Sequence, residues 1–248
     1  MKVIVDGLMT EYQRIGTTGT PVVLLLPGWM SPARNFAKLI DRLAKNYDVI
    51  ALDFPGWPDS ELSETAWNVA DYSHFLTEFA SKIKLREIFA IIGHSFGGRV
   101  MLKGLANEQL TAQKLVFMDV AGVKPPSSSR QKVIKTAAKI SRILPKNFRE
   151  KIGRKFASDD YKSLRNDPIL RATFTKIVDE DLTDLMPKVR AKSLLIWGAK
   201  DQETPLSDAE VFAKNLPDSH LEIIENAGHY AFLDQPEKVA KLVEEFLQ

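Results

Sequence analysis

One serine in this sequence stands in a pattern that favours nucleophilic chemistry. Ser95 is the central residue of Gly93-His94-Ser95-Phe96-Gly97. The apolar run 88–92 before it predicts a buried strand, and the residues after it predict a helix. A turn between strand and helix that is this sharp strains the serine backbone and leaves room only for glycine on either side. The pattern predicts an exposed hydroxyl at the carboxyl edge of a sheet, beside the free N–H groups of a helix N-terminus.

A serine hydroxyl is a poor nucleophile unless a base takes its proton and an acid orients that base. His229 follows a predicted strand at 221–224, and Asp201 follows another at 193–197. Both therefore lie at the same sheet edge as Ser95. The chain order serine, aspartate, histidine is the one that this mechanism takes on a sheet of this kind.

Other residues could compete for these roles. Asp119 ends a predicted strand and is an alternative catalytic acid, but Asp201 is favoured in that role and Asp119 is otherwise interpreted as forming a structural hydrogen bond in the adjoining loop. Asp53 is interpreted as a loop anchor and His94 as a structural neighbour of the serine. His74 and His220 are interpreted as solvated or core residues.

The predicted elements around these residues alternate between strand and helix. Such alternation predicts an α/β fold with a mostly parallel central sheet and helices on both faces. An Asp6-Gly7 turn predicts a hairpin at the start of the chain. The predicted strands are 3–5, 8–15, 22–26, 47–52, 87–92, 114–119, 193–197 and 221–224, and the predicted helices are 31–46, 69–83, 99–107 and 236–247.

The alternation stops in the middle of the chain, where no strand is predicted between 123 and 189. Residues 124–192 hold 18 Lys and Arg against 8 Asp and Glu, a net charge of +10 in a chain whose total is +2. Helices are predicted at 130–144, 148–156 and 169–178. We therefore expect a core formed by 1–123 and 190–248 and a helical cap at 124–189.

Composition excludes several classes of protein. The chain has 248 residues, no cysteine and four histidines, none of them spaced as a helical metal pair. Disulfides, cysteine nucleophiles and iron–sulfur clusters are excluded, and neither a metal nor another cofactor is expected. No apolar run approaches the ~20 residues of a membrane span. Without a signal peptide at the N-terminus, we expect a cytoplasmic protein.

The motifs together resemble the α/β-hydrolase superfamily, in its capped, esterase-like branch. The resemblance covers nearly all of the predicted core. It rests on Leu24-Leu25-Leu26-Pro27-Gly28-Trp29, Asp53-Phe54-Pro55-Gly56, Ser60, the glycine turn around Ser95, Asp201 with Pro205, and Gly228-His229. Two positions depart from the family pattern. Pro27 replaces the usual histidine, and Pro58 replaces a usual glycine.

The resemblance implies Ser95 as nucleophile, His229 as base and Asp201 as orienting acid. It also implies an oxyanion hole formed by the backbone N–H groups of Trp29 and Phe96. The side chains of Trp29, Phe96 and Tyr230, together with Gly28, are expected to line the substrate pocket.

The function expected from these residues is hydrolysis of small carboxylic esters through an acyl-enzyme on Ser95. A carbon–carbon bond hydrolase of the meta-cleavage-product type is an alternative, as are a perhydrolase and a small-molecule receptor that retains the triad. The basic segment 124–155 holds 11 Lys and Arg with Glu150 as its one acid. It could form a solvated helix face or attract anionic substrates or a membrane surface. No nucleic-acid-binding motif accompanies it, so no nucleic-acid partner is expected.

Overall fold

Eight strands form one sheet in the computed structural model of the chain, which describes residues 1–85, 87–124 and 167–248. Six of the eight lie parallel to their neighbours, in agreement with the α/β class predicted from the sequence. The strands are β1 (Lys2–Val5), β2 (Leu8–Ile15), β3 (Val22–Leu26), β4 (Asp48–Leu52), β5 (Ala90–His94), β6 (Lys114–Met118), β7 (Lys192–Gly198) and β8 (Ser219–Ile224).

Helices follow most of the parallel strands. Two 3-10 helices, at Ala33–Phe36 and Thr183–Lys188, accompany them. The α-helices are α1 (Ala37–Leu43), α2 (Val69–Lys82), α3 (Phe96–Ala106), α4 (Pro168–Val178), α5 (Leu206–Asn215), α6 (Ala231–Asp234) and α7 (Pro236–Leu247).

The strand order is β1-β2-β4-β3-β5-β6-β7-β8. The hairpin β1–β2 and the β2–β4 pair are antiparallel, and every pair from β4 to β8 is parallel. The carboxyl ends of β3, β5, β6, β7 and β8 therefore share one edge of the sheet. The loops that leave this edge carry the residues to which the sequence assigns chemistry.

The sheet separates two hydrophobic cores because successive side chains of a strand point to opposite faces. In β3, Leu24 and Leu26 contribute to the core that α2, α3 and α5 cover. Val23 and Leu25 contribute to the opposite core, beneath α1 and α7. All four side chains are buried, which explains why this strand is a continuous apolar run.

The predicted hairpin at the start of the chain is confirmed. Asp6 and Gly7 connect β1 and β2, and both have positive φ angles, of 48° and 81°. A two-residue turn needs positive φ at both positions to match the twist of its strands, which is why Asp-Gly predicts it well.

The elements around the serine differ from the prediction. β5 is Ala90–His94 rather than 87–92, so Ser95 follows the strand directly. α3 begins at Phe96 rather than at residue 99. The low helix propensity of Gly97 and Gly98 hides the first turn of α3. Both glycines are needed there, because a Cβ at these positions would lie 2.2 Å from the Leu26 oxygen and 2.3 Å from Val120.

Three smaller corrections follow from local backbone geometry. The helix predicted from residue 31 begins as a 3-10 helix after Pro32 and continues as α1. β6 ends at Met118, because Asp119 has a φ of 47° and leaves the strand. β8 begins two residues earlier than predicted, at Ser219.

The predicted cap is described only at residue 124 and at 167–189. Asp167 caps α4 by accepting hydrogen bonds from the N–H groups of Ile169 and Leu170. The predicted helices 130–144 and 148–156 lie outside the described residues. In the described parts of the chain, no helix is long and apolar enough to cross a membrane.

Candidate active site

The turn that carries Ser95 is strained in the way that its sequence predicts. Ser95 has φ 47° and ψ −109°, a conformation that L-residues rarely adopt. Its backbone is held by a hydrogen bond from the Ser95 N–H to the Met118 oxygen, at 3.0 Å. A Cβ at Gly93 would lie 2.7 Å from the backbone of Gly98, so side chains are excluded on this side of the turn as well.

Three side chains from three different loops meet at the carboxyl edge of the sheet. The Ser95 Oγ lies 2.9 Å from the Nε2 of His229. The Nδ1 of His229 lies 2.8 Å from the Oδ2 of Asp201. The carboxylate can only accept, so Nδ1 carries the proton and Nε2 is free to accept from the serine hydroxyl. The structure thus brings together the three residues that the sequence predicts as a triad.

The loop after β7 holds the carboxylate of Asp201 in place. The N–H groups of Glu203 and Thr204 donate to its Oδ1, at 2.8 and 3.0 Å. The Thr204 hydroxyl donates to its Oδ2, at 2.6 Å, and lies 3.3 Å from the Nδ1 of His229. Because every oxygen is bonded to a fixed donor, the carboxylate has one orientation.

The opposite charges of His229 and Asp201 shift the pKa of each group. Burial alone would lower the pKa of His229, but the hydrogen bond to Asp201 and the charges of Asp201, Glu203 and Asp119 raise it overall. Burial alone would raise the pKa of Asp201, but its bonds to His229 and Thr204 lower it overall. Each group favours the charged form of the other, which is what a base needs in order to hold a proton taken from serine.

Asp119, the alternative acid, makes no hydrogen bond to His229. Its carboxylate accepts from the N–H groups of Gly198, at 2.7 Å, and Ala231, at 3.2 Å. Its side chain is fully buried, and burial raises its pKa to about 7. Asp119 therefore connects the ends of β6 and β7 to the loop that carries His229, which agrees with the structural interpretation.

His94 is a structural neighbour of the serine, as predicted. It lies beneath the loop of His229, where its Nε2 donates to the backbone oxygen of His229 at 2.8 Å. Burial lowers the pKa of His94 to about 3, so the ring is neutral at ordinary pH. Its Nδ1 faces Gly28, where a Cβ would lie only 2.6 Å away.

The predicted oxyanion-hole donors belong to Phe96, which follows Ser95 in the chain, and to Trp29, which follows Gly28. Phe96 is the first residue of α3, and its N–H has no helical partner. Gly28 is packed against Ser95, because a Cβ on it would lie 3.3 Å from the Ser95 Cβ. Among the described residues, the backbone N–H groups of Trp29 and Phe96 donate no hydrogen bond to another protein group.

Trp57 fixes the loop that presents the Trp29 N–H. The indole N–H of Trp57 donates to the oxygens of Gly28, at 3.1 Å, and Ser31, at 2.9 Å. Met30, between them, has a φ of 51°. The two bonds hold the backbone oxygens on either side of Met30 and so fix the conformation of the loop that contains Trp29.

The side chains of Trp29 and Phe96 belong to an aromatic cluster next to the serine. Trp29 contacts Trp57 and Phe96 edge to face, with ring centroids 5.1 and 5.5 Å apart. It also meets Phe174 of α4, at 5.5 Å. Trp29 is 5% exposed and Phe96 is 2% exposed. The cluster connects the loop after β3, α3 and the described part of the predicted cap.

The remaining predicted residues occupy different surroundings. Tyr230 is half-buried and packs on the rings of His94 and His229, with centroids 4.9 and 5.4 Å away. Asp53 anchors a loop by accepting from the Ala33 N–H, at 2.6 Å. His74 and His220 are both exposed.

Sequence reasoning missed three residues of the site, namely Thr204, Trp57 and Glu203. A threonine three residues after an aspartate is a signal for a side-chain-capped turn and could have identified Thr204. The carboxylate Oε2 of Glu203 lies 3.5 Å from the Nε2 of His229. Nothing in the local sequence distinguishes Glu203 from a surface glutamate.

Across the described ranges, no group of three or more His, Asp or Glu residues could hold a metal ion.

Comparison with known proteins identifies the family. The model of the alpha/beta hydrolase family matches residues 23–242. The chain is 25% identical to the mouse monoacylglycerol lipase ABHD6, over 92% of this chain and 75% of that protein. It is 23% identical to the uncharacterized hydrolase YugF of Bacillus subtilis, over 98% of this chain and 96% of that protein.

Solved structures agree on the fold. A membrane phospholipase A described as a bacterial virulence factor superposes with a TM-score of 0.80 and 25% identity, over 100% of this chain and 84% of that one. An esterase from Exiguobacterium antarcticum has a TM-score of 0.75 and 24% identity, over 100% of this chain and 98% of that one. The chain therefore belongs to the alpha/beta hydrolase family, which supports a hydrolase activity.

Proposed function

We propose that this protein is a serine hydrolase that cleaves carboxylic esters of small molecules through an acyl-enzyme on Ser95. The observation that supports it most strongly is the pair of contacts that joins Ser95 to His229 and His229 to Asp201, at 2.9 and 2.8 Å. Contacts of this length are within the reach that a general base needs.

In the first half of the reaction, the Ser95 Oγ attacks the ester carbonyl carbon while the Nε2 of His229 takes the hydroxyl proton. The carbonyl oxygen becomes an oxyanion, which accepts hydrogen bonds from the N–H groups of Trp29 and Phe96. When the intermediate collapses, the bond to the alcohol oxygen breaks, and His229 gives its proton to that oxygen. The alcohol leaves, and the acyl group stays on Ser95.

In the second half, His229 takes a proton from water, and the resulting hydroxide equivalent attacks the acyl carbon. When the second tetrahedral intermediate collapses, the bond between the acyl carbon and the Ser95 Oγ breaks, His229 returns its proton to that Oγ, and the acid leaves. Asp201 keeps the imidazole oriented and stabilises its charged form in both halves. A single oxyanion-hole donor typically contributes a factor of about 10²–10³ to such rates.

We also propose that the segment 124–189 covers this site as a cap. The described contacts of α4 support this role. The Thr173 hydroxyl accepts from the Trp67 N–H, at 3.1 Å, and the Lys176 ammonium donates to the Ala66 oxygen, at 2.6 Å. Phe174 meets Trp29, whose backbone carries a proposed oxyanion donor.

Covalent labelling tests the nucleophile without knowledge of the substrate. A fluorophosphonate probe should form a single adduct on Ser95, read by intact mass and peptide mapping. The adduct should be absent from Ser95→Ala, whose folding is checked by circular dichroism. Wild-type protein that folds but forms no adduct contradicts an assembled triad.

An ester panel tests the reaction itself. Esters of one alcohol with acyl chains of 2 to about 12 carbons would define the acyl preference, and monoacylglycerols are the first natural esters to include, because the relative from mouse bears that name. Ser95→Ala should lose about 10⁶-fold in kcat. A fluorophosphonate adduct with no hydrolysis of any ester would instead favour a receptor that retains the triad.

A further inference from the structure

The imidazole nitrogen that faces Ser95 has a second neighbour. The Nε2 of His229 lies 2.9 Å from the Ser95 Oγ and 3.5 Å from the Oε2 of Glu203. The Glu203 side chain is 53% exposed, whereas that of His229 is 8% exposed. In the described part of the chain, no lysine or arginine forms an ion pair with Glu203. A half-exposed carboxylate, with no lysine or arginine partner among the described residues, thus lies beside the nitrogen that exchanges protons with the substrate.

The position of this carboxylate relative to a bound ester follows from the reaction. The alcohol oxygen that leaves must come within ~3 Å of the Nε2 of His229 to receive its proton. Since Oε2 lies 3.5 Å from the same nitrogen, it lies no more than about 7 Å from the leaving oxygen. A substituent one or two atoms further along the alcohol can therefore approach the carboxylate directly.

The backbone of Glu203 is fixed, because its N–H donates to the Oδ1 of Asp201, at 2.8 Å. The other charged groups around His229 do not offset the negative charge of Glu203. Asp201 contacts the opposite nitrogen, Asp119 lies buried behind the loop, and the ring of His94 is neutral. The alcohol side of the site is therefore negatively charged among the described residues.

We propose that Glu203 is a specificity-determining residue that selects cationic and hydroxyl-bearing alcohol groups over anionic ones. This inference rests on the proposed ester hydrolysis. A carboxylate accepts hydrogen bonds from alcohol hydroxyls, attracts an ammonium group and repels a carboxylate or phosphate. Glu203 also disfavours the dianionic acids that a carbon–carbon bond hydrolase of the meta-cleavage-product type would take.

The test uses three esters that share one acyl chain, the one that the wild type hydrolyses best in the ester panel. Their alcohols are choline, 3,3-dimethylbutanol, which is the neutral carbon analogue of choline, and 3-hydroxypropanoate. The readouts are two ratios of kcat/KM, cationic to neutral and anionic to neutral. Glu203→Gln removes the charge and keeps the shape. Glu210→Gln, an exposed glutamate on α5, is the matched control.

Glu203→Gln should lower the cationic-to-neutral ratio and raise the anionic-to-neutral ratio, each by about three- to tenfold. The control should leave both ratios unchanged. Because the site is half exposed to solvent, 0.5 M salt should reduce the preference of the wild type as well. Glu203→Asp should keep part of the preference, since it keeps the charge.

Two results separate the inference from the function on which it rests. The inference alone is overturned if Glu203→Gln hydrolyses the neutral ester but changes both ratios by less than about twofold. It is also overturned if Glu210→Gln changes the two ratios as much as Glu203→Gln does. A wild-type protein that hydrolyses no ester, either in the panel or among these three, overturns the proposed function and the inference with it.

Discussion

The side chain of His94 donates a hydrogen bond to the backbone oxygen of His229, with 2.8 Å between the two heavy atoms. His94, the residue before Ser95, thus supports the loop that carries His229. Burial lowers the pKa of His94 to about 3, so the ring that makes this bond is neutral at ordinary pH. The same ring leaves no room for a side chain at Gly28, on the loop of the proposed oxyanion hole.

The buried neutral ring predicts a loss of stability in acid. Below the ordinary histidine pKa of 6.5, the unfolded chain takes up a proton at His94 that the folded chain does not bind until pH reaches about 3. The contribution of His94 to the free energy of unfolding is therefore complete above pH 6.5. It declines as pH falls below that value, by up to roughly 1.4 kcal/mol per pH unit.

His94→Gln keeps a donor for the His229 oxygen and does not titrate. The free energy of unfolding of the wild type, measured with urea at pH 7.5, 5.5 and 4.5, should decline relative to that of His94→Gln. Other titrating groups are common to both proteins and cancel in this difference. A difference that stays constant over this range would contradict a buried neutral His94.

The raised pKa of His229 predicts the direction of the pH–rate profile. Only the neutral imidazole accepts the serine proton, so kcat/KM should rise with pH through an acid limb that lies above the ordinary histidine range. Glu203→Gln removes one of the charges that raise this pKa, so its acid limb should lie at lower pH. Identical acid limbs in the two proteins would show that Glu203 does not interact with His229.

Replacement by alanine should strongly destabilise the protein at one glycine of the site and have little effect at another. A Cβ on Gly97 would lie 2.2 Å from the backbone oxygen of Leu26, and neither side can move without opening the turn. Gly97→Ala should lower stability by about 2–4 kcal/mol and activity by more than about 100-fold. A Cβ on Gly228 would lie 3.7 Å from Asp234, an ordinary contact. Gly228→Ala should therefore stay within about 1 kcal/mol of the wild type in urea unfolding.

The hydroxyl of Thr204 should affect rate and stability together. Thr204→Val keeps the shape but removes the donor to Asp201, leaving one carboxylate oxygen with fewer buried partners. We expect a loss of about 1–2 kcal/mol in stability and of about 5- to 30-fold in kcat. Thr204→Ser should restore most of both. Combined with Asp201→Asn, the valine should add little, because the two residues act through the same imidazole.

Arg99 connects α3, the helix that follows Ser95, to the described part of the proposed cap. Its buried guanidinium donates to the oxygens of Ile177 and Glu180. Lys103, one turn later, pairs with the half-exposed carboxylate of Glu180 at 2.6 Å. Arg99→Gln should destabilise the protein by about 2–4 kcal/mol, since buried oxygens lose a charged donor. Lys103→Gln should change stability by no more than about 1 kcal/mol in the same thermal or urea measurement.

Much of the site could be predicted because its signals are local. The turn at Ser95 needs glycines wherever it occurs, and the parallel strands bring Asp201 and His229 to one edge. Element bounds were less accurate where a residue has conflicting preferences. Gly97 and Gly98 weaken a helix by propensity, yet the close approach of Leu26 and Val120 requires them there.

By itself, the sequence determined the fold class, Ser95, His229 and two candidate acids, because strand alternation and short motifs encode them directly. Only the tertiary structure decided which acid contacts His229, since Asp119 and Asp201 both end strands at the same edge. The structure also decided that the Glu203 carboxylate lies 3.5 Å from the Nε2 of His229. Such distances depend on how loops from separate strands pack together, and no local pattern of residues records that packing.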